Sequence, residues 1–586
     1  MSRIKLQIFL SFILTVSVLI GKTYVVAESG ADYSSIQEAL NVGIAGDTIL
    51  VKAKSEPYYE KITFPRSGDE TNGHIVLMAY PYESPIIDGT NYSTGGDWPQ
   101  GLVRIINKNY IKVIGFEIRN IVVSDNDIFP AGIWVYGSSK NVEILNNKIH
   151  TIHQNANNAG AHGLAVYGTH NSIPISDILI DGNEISNCKL GWSESLVLNG
   201  NVENFIVSNN IIHDNNNIAY DFIGHEGECP NPELDQARNG LVVGNIAYNI
   251  DSRGNPAYGN EASADGFYVD GGKDIIFERN LVYNCNIGFE IASEHGGKST
   301  SGIIIRNNLI RENIVLGLAI GGYDNQRGSA DNCKILNNTL YKNNTENFNW
   351  GAEILVQYYC DNNLFANNII YAKSNIPMVK HTSNTGSDNT FNNNLYFSEG
   401  TSLWKWGANS YSDIENYKTG STEENESIFS DPKLVDVSND NPNLSDDSPA
   451  REKGKNFDAT LVGTTDYFGN PRVVNDKVDV GAVESSIVSS IESFGEKSYN
   501  DFYLFPAYPN PFNPKTVISY HLKNSSYVKL RVYDTLGRFV ETLVSKQQKA
   551  GYYTSVWNAK NVNSGVYFAV LNQGANIIST RLQLVK

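Results

Sequence analysis

Cysteine is scarce in this 586-residue chain: Cys188, Cys229, Cys285, Cys333 and Cys360, an odd number with no CxxC pair. That leaves no basis for a disulfide framework or a cysteine-ligated zinc site. Cations are outnumbered, 45 Lys and Arg against 63 Asp and Glu, for a net charge of −18. The basic face that a nucleic-acid binder needs is therefore missing. The same acidity would repel a polyuronate unless a basic groove or bound Ca²⁺ intervened. Apolar runs are short apart from Ile8–Ile20, which follows Arg3 and Lys5. Residues 1–21 read as a signal peptide whose apolar stretch is short for a membrane span, with an uncleaved anchor as the alternative. The rest is expected to be soluble, exported and monomeric.

A repeat dominates what is present. The pattern apolar-x-apolar-x-Asn-apolar-apolar recurs as VEILNNKI, ILIDGNEI, FIVSNNII, LVVGNIAY, IIFERNLV, IIIRNNLI, KILNNTL, LFANNII and TFNNNLY. Its asparagines are Asn147, Asn183, Asn210, Asn245, Asn280, Asn308, Asn338, Asn368 and Asn394, spaced 36, 27, 35, 35, 28, 30, 30 and 26 residues apart. Short runs of β-formers alternate with Gly, Asn and Asp turns, and no long helical period occurs. One coil per period, varied by loop insertions, is the signature of an all-β, right-handed parallel β-helix. The asparagines are expected to form an internal hydrogen-bonded ladder. Cys188 and Cys285, each five residues after a ladder asparagine, read as small buried fillers.

The stack needs covered ends. In DYSSIQEALNVG, Ile36, Ala39 and Leu40 share a helical face, and Ser35 and Glu38 have capping-box spacing. This entrance resembles that of secreted proteins of the pectin-lyase-like superfamily, and TDYFGNPRVVNDKVDVGAVE resembles the closing segment of bacterial extracellular β-helices. The resemblance spans residues 22–484. A polar linker, 485–501, leads to residues 502–586, whose short strands and turn signals suit a small β-sandwich. There YPNPFNP, VYDTLGRFVETLV and SGVYF resemble the C-terminal sorting domain of type IX secretion cargo; an accessory carbohydrate-binding sandwich is the alternative. The resemblance implies passage across a Bacteroidetes-like outer membrane, with the secretion machinery as partner.

Function has to come from a site, because β-helices host many activities. Aligning AGIWVYG, HGLAVYG, ESLVLNG, YDFIGHEG, DGFYVDGG, IGFEIASEHGGK and LGLAIGG places outward residues in three columns. The first column holds His162, Glu194, Tyr220 and Asp265. The middle one runs through Trp134, Ala165, Val197, Ile223, Tyr268, Glu290 and Ala319. The last holds Tyr136, Tyr167, Asn199, His225, Asp270, Ala292 and Gly321. Thus His162, Glu194, His225, Asp265, Asp270 and Glu290 share one face, rimmed by Tyr136, Tyr167 and Tyr268. Acids, histidines and rings together suit polysaccharide chemistry. The loops 153–160, 224–239, 251–264 and the stretch after Glu290 are long enough to wall a groove.

Ala264–Phe267 resembles a segment of the calcium-dependent family 9 pectate lyases, which implies Ca²⁺ held by Asp265, with Glu290 replacing a second ligand. The family's acidic pair is occupied by Asn286 and Ile287, and Ala319 stands where its basic lysine would be. β-Elimination on a uronic-acid polymer is nonetheless the leading reading, with Lys298 or Lys273 having to serve as the base. A glycoside hydrolase needs two carboxyl groups, and Asp270 with Glu290 is the leading pair, with His225 to orient it and Glu194 as a further acid. A non-catalytic adhesin or glycan-binding solenoid is the third reading.

Overall fold

The computed structural model describes residues 21–485, except 82, 93–96 and 384, and most of 502–584. The expected signal peptide and the linker fall almost wholly outside the described residues. The chain divides into two compact units, Met1–Ser486 and Ile487–Lys586.

The first unit is a right-handed parallel β-helix of three long sheets. It arises because each coil supplies three short β-branched runs that alternate about left-handed turn residues. Asn146, Asn209, Asn307, Asn337, Asn367 and Asn393 all have positive φ. Asparagine tolerates that conformation better than other residues with a β-carbon. The residue after each of these turns is a ladder asparagine. The N–H and Nδ2 of Asn147 both donate to Asn183 Oδ1, at 2.9 and 3.0 Å. The same double link repeats coil by coil to Asn394, whose N–H ends on Ser427 Oγ. Cys188 and Cys285 are buried and free, each donating its N–H to an asparagine of a second ladder, Asn215 and Asn313.

At the entrance, a helix spans Ile36–Val42 with Ile36, Ala39 and Leu40 buried. Ser35 Oγ accepts the Glu38 N–H, but Glu60 satisfies the next free N–H groups, those of Ile36 and Gln37. Capping by a residue 23 and 24 positions away ties the helix to the first coils. The closing segment folds back along the solenoid: Arg306 donates to Thr460 O and Leu461 O, and Asn337 to Asp479 O.

Seven strands of one sheet carry the candidate site. They are β1 (Ala131–Gly137), β2 (His162–Gly168), β3 (Leu196–Gly200), β4 (Tyr220–Ile223), β5 (Asp265–Asp270), β6 (Ile287–Ala292) and β7 (Leu316–Ile320). Their pairing is parallel throughout. Among the described residues, no helix is long and apolar enough to cross a membrane.

The second unit is an antiparallel β-sandwich of a three- and a four-stranded sheet. It has its own core around Ile518, Tyr520, Leu530, Trp557 and Leu571.

Candidate active site

The register corrects one coil of the sequence alignment. Tyr220 pairs with Leu196 and Phe267, and Phe222 with Leu198 and Val269. Tyr220 therefore points into the core, stacked 4.6 Å from Phe267, with its hydroxyl on Asn210 O. The outward residue of the middle column is Asp221, paired with Val197 and Tyr268, while Ile223 belongs to the last column. His225 lies past the strand. A slip of two residues preserves in–out alternation, so alternation alone does not detect it.

Asp265 faces outward because alternation breaks beside it. A β-carbon on Gly266 would sit 2.4 Å from Val282 Cγ2, in the core, and Phe267 is also a core residue. Two successive inward positions turn the preceding side chain out. Gly132, Gly163, Gly288 and Gly317 occupy the same register in other coils, with Ser195 and Ala219 replacing glycine in β3's and β4's coils. The first column thus runs His162, Glu194, Ile218, Asp265, Ile287.

This face is covered rather than solvated. Glu194, Asp221, Asp265, Asp270 and Glu290 are all 8% exposed or less. The 251–264 loop lies at the Glu194 end of the row: Asn255 donates to Gly191 O and Asn216 O, and Tyr258 packs 5.0 Å from Trp192. Trp98, Trp192 and Tyr323 remain roughly half exposed. Trp98 stands 5.1 Å from Trp134 and 6.4 Å from Tyr136, extending an aromatic strip beside the acids.

Burial dominates the electrostatics. It raises the carboxyls of Glu194, Asp221, Asp265 and Asp270 well above the usual range, and neighbouring acids add to this. Glu290 is pushed up to about 7 by burial and then by Glu294, against a hydrogen bond from Gln357. Among the described residues, no Lys or Arg forms an ion pair with any of these five. His162 is lowered to about 4 by burial. Its Nδ1 sits 3.1 Å from Glu194 O, and Tyr167 Oη is 3.2 Å from its Nε2. His162 and Tyr167 therefore form a neutral, hydrogen-bonded pair at the head of the site. Tyr268 is not at the rim; it is buried on the floor and donates to Glu294 Oε1 at 3.3 Å. Tyr136 stays partly exposed.

The bases expected for elimination are displaced. Ala319 is fully buried, and Lys273 and Lys298 are both exposed. Lys298 stands near His225, whose pKa falls chiefly through burial. Nor do the residues around Asp265 make a calcium cage. Asp265 Oδ1 is buried without a partner, but Asn286 Oδ1 is already used by Ser252 and Ala264. Ile287 belongs to an apolar cluster with Ala262, Ile314, Val315 and Leu316. Asp265 and Glu290 alone fall short of the about six to eight oxygens that Ca²⁺ takes.

Sequence reasoning missed Asp221, Glu226, Glu294 and His295. Asp221 Oδ1 is buried and unpartnered, and the Glu294 N–H donates to Asp270 Oδ1 at 2.7 Å. The last three lie on loops, where period-2 alternation carries no information; the acidic and histidine content of GHEGE and SEHGGK was their one signal.

A family model described as a secretion system C-terminal sorting domain matches residues 506–585. This domain directs the chain, through type IX secretion, to the exterior or the cell surface. Among solved structures, a complex of XylC with xylose matches at a TM-score of 0.46 and 12% identity, over 79% of this chain and 98% of that one. A tailspike of an E. coli bacteriophage with a bound pentasaccharide matches at 0.38 and 11%, over 87% of each. An uncharacterized protein of Bacillus subtilis (strain 168), YwoF, is 36% identical over 422 residues, 72% of this chain and 88% of that protein. The chain is a member of the YwoF family that carries a secretion system C-terminal sorting domain.

Proposed function

We propose that the chain is a secreted polysaccharide-acting enzyme that hydrolyses glycosidic bonds on the outer face of β3–β6. Glu290 would be the proton donor and Asp221 its partner carboxyl, which burial and neighbouring acids also hold protonated and which must shed that proton before it can activate water. The observation that carries this reading is the middle column itself. Asp221, Tyr268 and Glu290 are consecutive in register, so the two acids stand two coils, about 9.5 Å, apart in backbone. That separation suits the ~6.5–9.5 Å between carboxyls in inverting glycosidases. A carboxyl at about 7 holds its proton near neutral pH and can release it to a leaving oxygen. Asp270, diagonal to Glu290, stays within reach as the pair's alternative base. Half-exposed Trp98 and Trp192 offer faces on which sugar rings can stack.

Uronate elimination is the second reading, favoured by the unpartnered Asp265 Oδ1 within the lyase-like Ala264–Phe267 segment. A panel of neutral and uronic polysaccharides, read for reducing ends and for unsaturated-product absorbance, separates them. Reducing ends without that absorbance, lost in Glu290→Gln, are expected. Unsaturated product would reverse the assignment, and no cleavage by a folded protein would favour a binding solenoid.

A further inference from the structure

The geometry points to a divalent transition-metal site formed by Glu226, Asp270 and His295, of which the sequence columns hold only Asp270 and the lyase resemblance none. Each offers one ligand atom, and the three atoms lie within 4.8 Å of one another. They come from three independent pieces of chain: the loop after β4, the last outward position of β5, and the loop after β6. Asp270 is 4% exposed and is anchored by the Glu294 N–H on Oδ1. Glu226 is held by Asn199 Nδ2, which donates to its Oε2 at 2.7 Å. Such outer partners orient ligands in metal sites. Glu226 is exposed, so the cluster opens to solvent on one side and a cation has a path in.

A second observation points to a ligand at this place. His295 Nε2 is buried with no hydrogen-bond partner. So is Asp221 Oδ1, on a residue 2% exposed. Asp221 pairs with Tyr268, one outward position from Asp270 on the neighbouring strand, and after burial and Glu194 its carboxyl is raised by Asp270 and Glu226, so it adjoins the cluster. A group of buried acids with orphaned oxygens and no Lys or Arg counter-charge either keeps its protons or is ionised beside a bound cation.

The donor set selects the metal. One imidazole and two carboxylates, with further positions left for water, suit Zn²⁺ or Mn²⁺. Ca²⁺ takes about six to eight oxygens and gains nothing from an imidazole. This site would place a cation beside Asp221 and Glu290, but its existence does not depend on the hydrolytic reading.

The test is calorimetric titration of the full chain, stripped with chelator, with Zn²⁺, Mn²⁺ and Ca²⁺ in the absence of any substrate. One Zn²⁺ or Mn²⁺ per chain is expected, bound more tightly than Ca²⁺. Loss of an outer-shell partner typically weakens metal binding 10–100-fold, so H295A and D270N, which remove ligands, should each weaken it by at least about 100-fold. E226Q, on an exposed loop, should weaken it without altering the melting temperature of the metal-free protein, and D265N should leave affinity unchanged. The assignment falls if neither transition metal binds at one per chain, if binding survives H295A and E226Q, or if Ca²⁺ binds as tightly. It falls equally if D265N abolishes binding.

Discussion

Glu290→Gln should stabilise the protein while abolishing its activity. Moving this carboxyl from its ordinary 4.5 to about 7 corresponds to roughly 3 kcal/mol of folding free energy, at 1.36 kcal/mol per pH unit. The sign follows from proton binding. Below pH 4.5 the group is protonated in both folded and unfolded chains, and the substitution is neutral in this respect. Between 4.5 and about 7 the unfolded chain releases its proton before the folded one does, so wild-type stability falls as pH rises. Above about 7 the loss is complete. The advantage of Glu290→Gln should therefore grow from near zero at pH 4 to roughly 3 kcal/mol at pH 8. Urea denaturation followed by intrinsic fluorescence at both pH values measures it. Reducing-end release on the best substrate of the panel measures the activity. Equal pH dependence of stability in the two proteins would refute the buried, proton-holding state of Glu290. Retained activity would refute its role as donor.

Three further outcomes test the framework. Asn245→Ala strands the Asn210 N–H and Val207 O inside the ladder. At about 1–3 kcal/mol per unmet buried group it should destabilise by roughly 2–6 kcal/mol, seen as a lower urea midpoint; a change under about 1 kcal/mol would contradict the ladder's structural role. Arg472, fully buried and 2.8 Å from Glu484, is the counter-charge for Glu484 and Asp479 in the closing segment. Arg472→Met should destabilise by about 3–5 kcal/mol by leaving buried acids unpaired, and adding Glu484→Gln should recover part of it. Removal of residues 487–586 should retain the chain inside the outer membrane with the β-helix folded, since each unit has its own core; fractionation and the melting of the purified truncation check both halves.

How far the sequence could be read depends on what each feature repeats. The asparagine ladder repeats once per coil with one residue type, and every rung from Asn147 to Asn394 was legible. The outward columns repeat only as alternation, which is blind to a slip of an even number of residues. Hence alternation alone sets YDFIGHEG two residues out of register. Asp221 was overlooked, and Tyr220, a core ring, was read as outward. A glycine column marks the corner in five coils, but β3 and β4 carry Ser195 and Ala219 there, so the anchor that would have set their register was absent. Exposure escapes the strand pattern for a different reason. Strand pattern tells which side of a sheet a residue occupies, not whether a loop from another coil covers that side. Asp265, Asp270 and Glu290 share the face that alternation assigns them, yet their burial depends on loops from other coils, such as the one whose Glu294 N–H reaches Asp270. A solvated acid on that face would titrate near 4 and could not hold a proton for a leaving group. The loops thus convert a row of ordinary carboxylates into groups able to donate, so loop length belongs to the chemistry as much as to the shape of the groove.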